Sequence, residues 1–524
     1  MKKANKIILC FGILALIAFG CTKSFEDTNV SPNSPVDMPT YALMTNVQKQ
    51  LMDNMRDEWW GGRFGWLLDQ QINQNNYTTE DRYLFRQSVN DQYWNTIYTT
   101  CTDLQEIIRL NTEEATKGKM SAYGANSNQI AAAMVLRSWV IQNLTDIYGD
   151  VPFSKAWDAV NNPSPAYDNQ KDIYSQLLKD LTDASAMIQL DKPVFTQGDE
   201  LYGGDALKWK KFANSLKMRV ALRLTTHRGT ETFDGKTPIQ MINEIIESGV
   251  YFESNDDNAV FTYKTGTPNQ APLYDAYFIQ ARTDFAICNQ FVVLLKGENP
   301  PASGTGRDNA NPFFGLADPR LPILAAPTAD PEYGTYFGMP YGMQDAESKL
   351  IGLTKASWPS DKLLAPDFGC IYMDYAEVCF MISEAKGYDD GWYKKGIRAS
   401  MEYWGVDAAA IDSYIAAVPA ANPENVATQK YIALFEQAHQ PWIEYRRTGF
   451  PKTMVLPGEV TFVWPDGHST IFEADGSLWP LTDLPRRMTY SQKEQTLNAD
   501  NYAAASARIG GDTFLSKVWW EGGN

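Results

Sequence analysis

The segment Ile130–Tyr148 is apolar on two faces of a helix. Met134, Ile141, Leu144 and Tyr148 share one face, and Leu136, Trp139, Val140 and Ile147 share another. A helix of this kind must be covered on both sides, so it demands helical neighbours. The chain supplies them. Ile173, Leu177, Leu181, Ala184 and Ile188 recur at helical period behind Asp168, a candidate N-cap. From about Asp205, Trp209, Phe212, Leu216 and Val220 repeat the pattern, and a further helix is expected at Pro238–Ser248, ended by Gly249. Gly149 and Pro152 end the first of these helices. Paired helices joined by short turns predict a mainly α fold, an α-hairpin solenoid. The strict tetratricopeptide consensus is missing, so the likeness to that architecture is one of fold.

The region from about Gly249 to Phe368 breaks the pattern. It is punctuated by Pro300-Pro301, Asn311-Pro312, Asp318-Pro319 and Ala365-Pro366, yet it is dense in aromatic residues. Long irregular stretches in a folded chain tend to be functional, and aromatic density argues against disorder. Helical spacing resumes at Gly369–Lys386, then at about Trp392–Tyr403 and Asn425–His439. Val460–Trp464 and Ser469–Phe472 flank Pro465-Asp466-Gly467, a hairpin signal.

The N-terminus carries Lys2, Lys3 and Lys6, then an apolar run from Ile7 to Phe19, the order of a secretory signal. The run is shorter than the roughly 20 residues of a membrane span. It ends in Ala18-Phe19-Gly20-Cys21, which resembles a bacterial lipobox, although lipoboxes usually carry Leu or Val at the place of Ala18 and a small residue at that of Phe19. The expected arrangement is a lipoprotein signal peptide at 1–20, acylation of Cys21 and a polar tether at 21–40. An ordinary cleavage site with a coincidental cysteine is the alternative. Cys101, Cys288, Cys370 and Cys379 lie in apolar surroundings without a CxxC pair and are expected as buried thiols, one disulfide being the alternative. The three histidines are far apart and lack zinc-ligand spacing, so no metal and no cofactor is expected. The formal net charge of −17, with no basic cluster, argues against nucleic acid as a partner.

Several segments together resemble a known family. They are Ile147-Tyr148-Gly149-Asp150-Val151-Pro152-Phe153, Trp209–Lys217 and Tyr375–Ala385. Ile432-Ala433-Leu434-Phe435 follows, with Trp442-Ile443-Glu444-Tyr445-Arg446-Arg447-Thr448-Gly449-Phe450-Pro451 behind it. Pro485-Arg486-Arg487-Met488 and Glu494-Gln495-Thr496-Leu497-Asn498 come last. Their order and spacing resemble the SusD/RagB family of nutrient-binding outer-membrane lipoproteins. The resemblance implies a SusD-like domain over 41–524. A tetratricopeptide-like helical scaffold would occupy about 41–248 and 369–458, an irregular, loop-rich subdomain about 249–368, and a small β-hairpin about 459–480. It further implies a lipid-anchored place on the outer membrane of a gram-negative bacterium, at the cell surface. The implied partner is a SusC-like TonB-dependent β-barrel transporter, and the implied ligands are oligosaccharides or peptides.

Sugars present an apolar C–H face and a rim of hydroxyls, so a site for them needs aromatic platforms beside polar side chains. The stretch Trp59–Trp94 has that mixture, and its polar break contains Tyr77, Arg82 and Tyr83. Tyr274, Tyr277, Tyr336 and Trp358 of the irregular region form the expected facing wall. Core packing is the competing reading of every one of these rings, and the expected reading of Trp60, Phe64 and Trp94. Glu377, Glu384 and Arg446-Arg447 read as ion pairs between packed helices, and Asn255-Asp256-Asp257-Asn258 reads as a solvated turn, with a calcium site the open alternative. The sequence has no GxSxG, P-loop, HExxH or Rossmann fingerprint, so no catalytic residue is assigned. A surface-anchored glycoside hydrolase stays as the alternative, because two carboxylates leave no signature. The lipobox reading makes one direct claim: the Cys21→Ala protein should leave the membrane fraction. Retention of that variant after a salt wash would refute the anchor.

Overall fold

The computed structural model describes residues 38–523 apart from 159–160 and 475–478. The signal segment, Cys21 and the tether up to residue 37 lie outside the described residues. The fold is mainly α, about 52% helical. Its first part consists of α1 (Thr40–Arg56), α2 (Gln87–Thr112), α3 (Asn126–Tyr148), α4 (Gln170–Met187), α5 (Ala206–Arg228) and α6 (Pro238–Ser248). Each packs against the next, which is the hairpin solenoid expected from the periodicity. The two-faced helix α3 touches α2, α4 and α5, and is buried along nearly its whole length. Between α1 and α2 lies β1 (Ile72–Gln74).

The caps follow local chemistry. Asp205 accepts the Lys208 amide at 3.0 Å and opens α5. Thr237 and Gln240 form a capping box at α6, with Pro238 in its first turn. Gly249 ends α6 in the left-handed region, φ 66°. Asp168 is not the cap of α4. Its carboxylate accepts the Phe153 and Ser154 amides at 2.9 Å and ties β2 (Val151–Pro152) to β3 (Tyr167–Asp168). The start of α4 is satisfied from outside, by Asp150 accepting the Gln170 amide at 2.9 Å.

Residues 249–368 contain β4 (Ala259–Thr262), a π-turn at Asp275–Ile279, β5 (Phe285–Ile287), α7 (Asn289–Lys296) and α8 (Asp345–Lys355). The expected helix Gly369–Lys386 divides into β6 (Gly369–Met373) and α9 (Tyr375–Ala385). Apolar spacing alone cannot separate a short buried strand from a helix. Here β4 provides the backbone partners for β6, and Asp374 accepts the Glu377 amide at 2.8 Å to start the helix afresh. Next come α10 (Asp390–Trp404), α11 (Ala408–Ala417), α12 (Pro423–Ala433) and α13 (Gln440–Thr448). The helix expected to reach His439 stops at Ala433, because Glu436 and Ala438 turn left-handed at φ 69° and 50°. The strands β7 (Val460–Val463) and β8 (Ser469–Ile471) form the expected hairpin.

Buried ion pairs join the two helical parts. Arg219 of α5 donates to Glu377 of α9 at 2.7 Å. Arg447 of α13 pairs with Glu384 of α9 at 2.6 Å. Glu444 of α13 accepts from Arg223 of α5, from Lys430 of α12 at 3.0 Å and from Arg447 at 2.8 Å. Burial alone would raise the Glu444 carboxyl, but Arg447, Lys430 and Arg223 outweigh it and hold it well below the usual carboxylate range. The 255–258 turn is structural too. Asp257 pairs with Lys211 at 2.9 Å, and Asn255 donates to the Ala399 carbonyl at 2.9 Å. All four cysteines among the described residues are free and buried.

A group whose carboxyl is depressed by folding stabilises the fold above its unfolded value, and loses that contribution as the pH falls through its folded value. The contribution of Glu444 is therefore intact at neutral pH and fades below about pH 4. Glu444→Gln leaves buried cations short of their partner and should cost about 3–5 kcal/mol at pH 7. Urea unfolding checks this, and the deficit of the variant relative to the parent should shrink on acidification.

Candidate functional site

The loop from residue 75 to residue 86 is fastened from below. β1 pairs antiparallel with β5, and beyond that ladder Asn75 donates its amide to the Asp284 carbonyl and its side chain to the Thr283 carbonyl, both at 2.9 Å. The buried Asp81 accepts the Gln74 amide at 3.2 Å. Burial pushes the Asp81 carboxyl well above its ordinary value, which the Gln74 amide only partly offsets. Gln74 donates to Glu80 at 2.9 Å, and Glu80 pairs with Arg86 at 2.7 Å. Asp345, the first residue of α8, accepts the Thr78 amide at 2.8 Å.

These ties leave Tyr77 at the tip. It sits in the left-handed region at φ 58° and is 51% exposed. That backbone costs a side-chain-bearing residue roughly 1–2 kcal/mol, and such outliers gather at functional sites. Arg82 is half-buried in the same loop. Beside the loop runs the π-turn, whose Phe278 and Ile279 are 56% and 60% exposed. Tyr274 is half-buried, its ring 5.1 Å from that of Phe278. Trp358 is half-buried, and its indole donates to the Leu353 carbonyl at 3.0 Å. One end of α8 thus holds the Tyr77 loop and the other holds Trp358. Tyr336 is half-buried against the main core.

Two sequence candidates belong to that core. Tyr83 is 1% exposed, with its ring 5.4 Å from Phe472 and 6.0 Å from Phe85. Tyr277 is 4% exposed, donates to the Phe285 carbonyl at 2.7 Å and meets the Trp358 ring edge-on at 5.6 Å. Neither offers a face to a ligand. They hold up neighbours that do, Tyr277 by supporting Trp358. Trp60, Phe64 and Trp94 are buried, as expected of helix core.

Sequence reasoning placed Trp59 in the suggestive aromatic stretch, but assigned no ligand role to it, to Phe278 or to Arg282. Trp59 is half-buried, with the Arg63 guanidinium 5.1 Å and that of Arg282 4.9 Å from its ring centre. Asp284 accepts from Arg63 at 3.1 Å and from Arg282 at 3.3 Å, and so joins Trp59 to the Asn75 anchor. The Trp59-Trp60 pair was the available signal, but sequence could not say which ring is covered.

Elsewhere the polar groups are structural. Burial, with Arg219, Arg223 and Arg446 nearby, pushes His439 down to about 3, so it stays neutral and serves no acid–base role at neutral pH. Among the described residues no cluster of His, Cys, Asp and Glu could hold a metal ion, and no helix is long and apolar enough to cross a membrane. A groove of about 420 Å³ lined by Lys179, Lys217, Phe233 and Asp234 lies on the solenoid, and none of the seven candidate ligand residues lines it.

Comparison with known families decides the kinship. A SusD-like model described as starch-binding and associating with the outer membrane matches residues 32–460. A second, for SusD and RagB outer-membrane lipoproteins, matches residues 419–521. The chain belongs to the SusD-like family. Similar solved structures include a chitin-binding protein (24% identity, TM-score 0.73, covering 92% of this chain and 99% of the other). A SusD homologue from Bacteroides uniformis has 21% identity and a TM-score of 0.73, covering 93% and 99%. Another from Parabacteroides distasonis has 22% identity and a TM-score of 0.73, covering 92% and 98%. Comparison with curated protein sequences finds no match. At these identities the structures establish the SusD-like fold alone.

The different depths of the two loop tyrosines in this SusD-like chain give a stability test. Tyr83→Ala should lose about 3–5 kcal/mol, the range for truncating a buried ring. Tyr77→Ala should unfold at nearly the parent's urea concentration. Equal losses for both would contradict the placement of Tyr77.

Proposed function

We propose that this SusD-like chain is a surface lipoprotein that captures oligosaccharides and passes them to a SusC-like TonB-dependent barrel, without covalent chemistry. The observation that carries the capture reading is Tyr77. Its ring stands half exposed in a strained backbone, on a loop whose polar groups beneath are tied down. Such a ring is pre-organised, and a pre-organised platform binds without first losing conformational entropy. The proposed face also takes in the half-buried Tyr274, Tyr336 and Trp358, the exposed Phe278 and the cation Arg82. Glycan is favoured as the ligand class by the starch-binding description of the family model and by the chitin-binding relative. The barrel partner and the lipid anchor at Cys21 rest on the family likeness and on the signal-like N-terminus.

Each ring or hydrogen bond supplies modest affinity, about 0.5–1.5 kcal/mol. Tyr77→Ala and Trp358→Ala should each weaken binding by about ten- to a hundredfold. Calorimetry of the mature protein with malto- and chito-oligosaccharides reads this, with unfolding midpoints as controls. Unchanged affinity in Tyr77→Ala, Tyr274→Ala, Tyr336→Ala and Trp358→Ala would move the site off this face. Release of shorter sugars during incubation would favour a hydrolase.

A further inference from the structure

The arginines around Tyr77 are not all paired. The chain as a whole is acidic, at −17. Yet Arg63, Arg82, Arg86 and Arg282 converge on the loop and its Asp284 anchor. Glu80 is spent on Gln74 and Arg86, and Asp284 is shared by Arg63 and Arg282. Asp81 is buried and pushed towards its neutral form. At the margins, Asp345 accepts the Thr78 amide and Asp275 accepts from the Gln280 side chain at 2.8 Å. Arg82 acts on Asp81 through charge alone, with no hydrogen bond between their side chains. Among the described residues its side chain makes no hydrogen bond and no ion pair, and its Nε is buried without a partner. The other arginines of the group each pair with a carboxylate, although Arg63 and Arg282 also keep a buried Nε without a partner.

A half-buried guanidinium with an unpaired N–H is expensive to leave so. Arginine is also the side chain best suited to a planar or tetrahedral oxyanion, because its fork donates two parallel bonds. Arg82 lies five positions from Tyr77, in a loop closed by Thr79 donating to the Tyr77 carbonyl at 2.8 Å and Arg82 donating to the Thr79 carbonyl at 3.2 Å.

We infer that the ligand is an acidic glycan, one carrying carboxylate or sulfate groups, and that Arg82 is the counter-ion for one of them. This rests on the capture reading above, with Tyr77 taking the sugar face and Arg82 the anion. It narrows the ligand class beyond starch or chitin, both of which are neutral.

The test is calorimetry of the intact mature protein with a matched panel. Oligogalacturonate and its fully methyl-esterified form share every ring and differ in charge. Sulfated and unsulfated galactan oligomers provide the second pair and distinguish carboxylate from sulfate. Malto-oligosaccharides represent neutral glycans. The charged member of at least one pair should bind about tenfold or more tightly than its neutral twin. Added salt should erode the preference. Arg82→Gln should abolish it while keeping the parent's melting temperature, and Arg82→Lys should restore part of it. Equal binding within both pairs, or a preference that survives Arg82→Gln, overturns the acidic-glycan assignment. Binding of malto-oligosaccharides alone also overturns it, and leaves glycan capture standing. If no member of the panel binds, both readings fall.

Discussion

One carboxylate, that of Glu444, holds the two halves of the scaffold together. It is buried in α13 and receives cations from α5, α12 and its own helix. Two of those cations lead outward. Arg447 continues to Glu384 on α9, while Arg223 also donates to Gln440 at 3.1 Å. Next to it Arg446 reaches Glu521 near the C-terminus at 3.0 Å and the Asp146 carbonyl of α3 at 2.7 Å. Buried charge is a poor source of net stability, because desolvation consumes much of the Coulomb gain. Its effect is on geometry: helices far apart in sequence can satisfy these groups in one arrangement only. The irregular subdomain and the loop of Tyr77 are mounted on that arrangement.

The mounting explains how a loop can carry a site. Loop backbone must find partners, and here it finds them in side chains of other elements. Asp345 of α8 takes the Thr78 amide, and β5 with the carbonyls before it takes β1 and Asn75. Strain at Tyr77 can persist because its neighbours over-determine it. On the proposed reading, a site so fixed binds by pre-organisation rather than by closing around its ligand.

The solenoid was legible because periodicity reports burial directly. The two apolar faces of Ile130–Tyr148 and the stop at Gly249 both turned on local chemistry. The errors arose where a distant partner decided the outcome. Gly369–Met373 became a strand because β4 lay beside it, and Asp168 served a hairpin instead of a helix end. The ligand rings were harder still. Tyr77 and Tyr83 have the same side chain, lie in the same loop and both turn left-handed, at φ 58° and 65°. One is exposed and the other sealed beneath Phe472, and no feature of the surrounding sequence encodes that depth. Arg282 shows the same gap, since its place over Trp59 depends on the β1–β5 pairing.

A capture protein must also release what it holds, and the composition of this face suits both tasks. Its rings offer area without covalent chemistry, and the carboxylates near them are engaged by arginines or amides, or buried. Separate weak contacts of about 0.5–1.5 kcal/mol each add up to binding that reverses readily. Most differences in affinity between related complexes lie in the dissociation rate. On the proposed reading, a few open rings and one unpaired guanidinium give short residence, whereas an enclosed cavity lined by the same groups would hold its ligand longer. The rigid scaffold keeps that open face constant from one encounter to the next, so the energy of each contact goes into holding the ligand and not into ordering the protein.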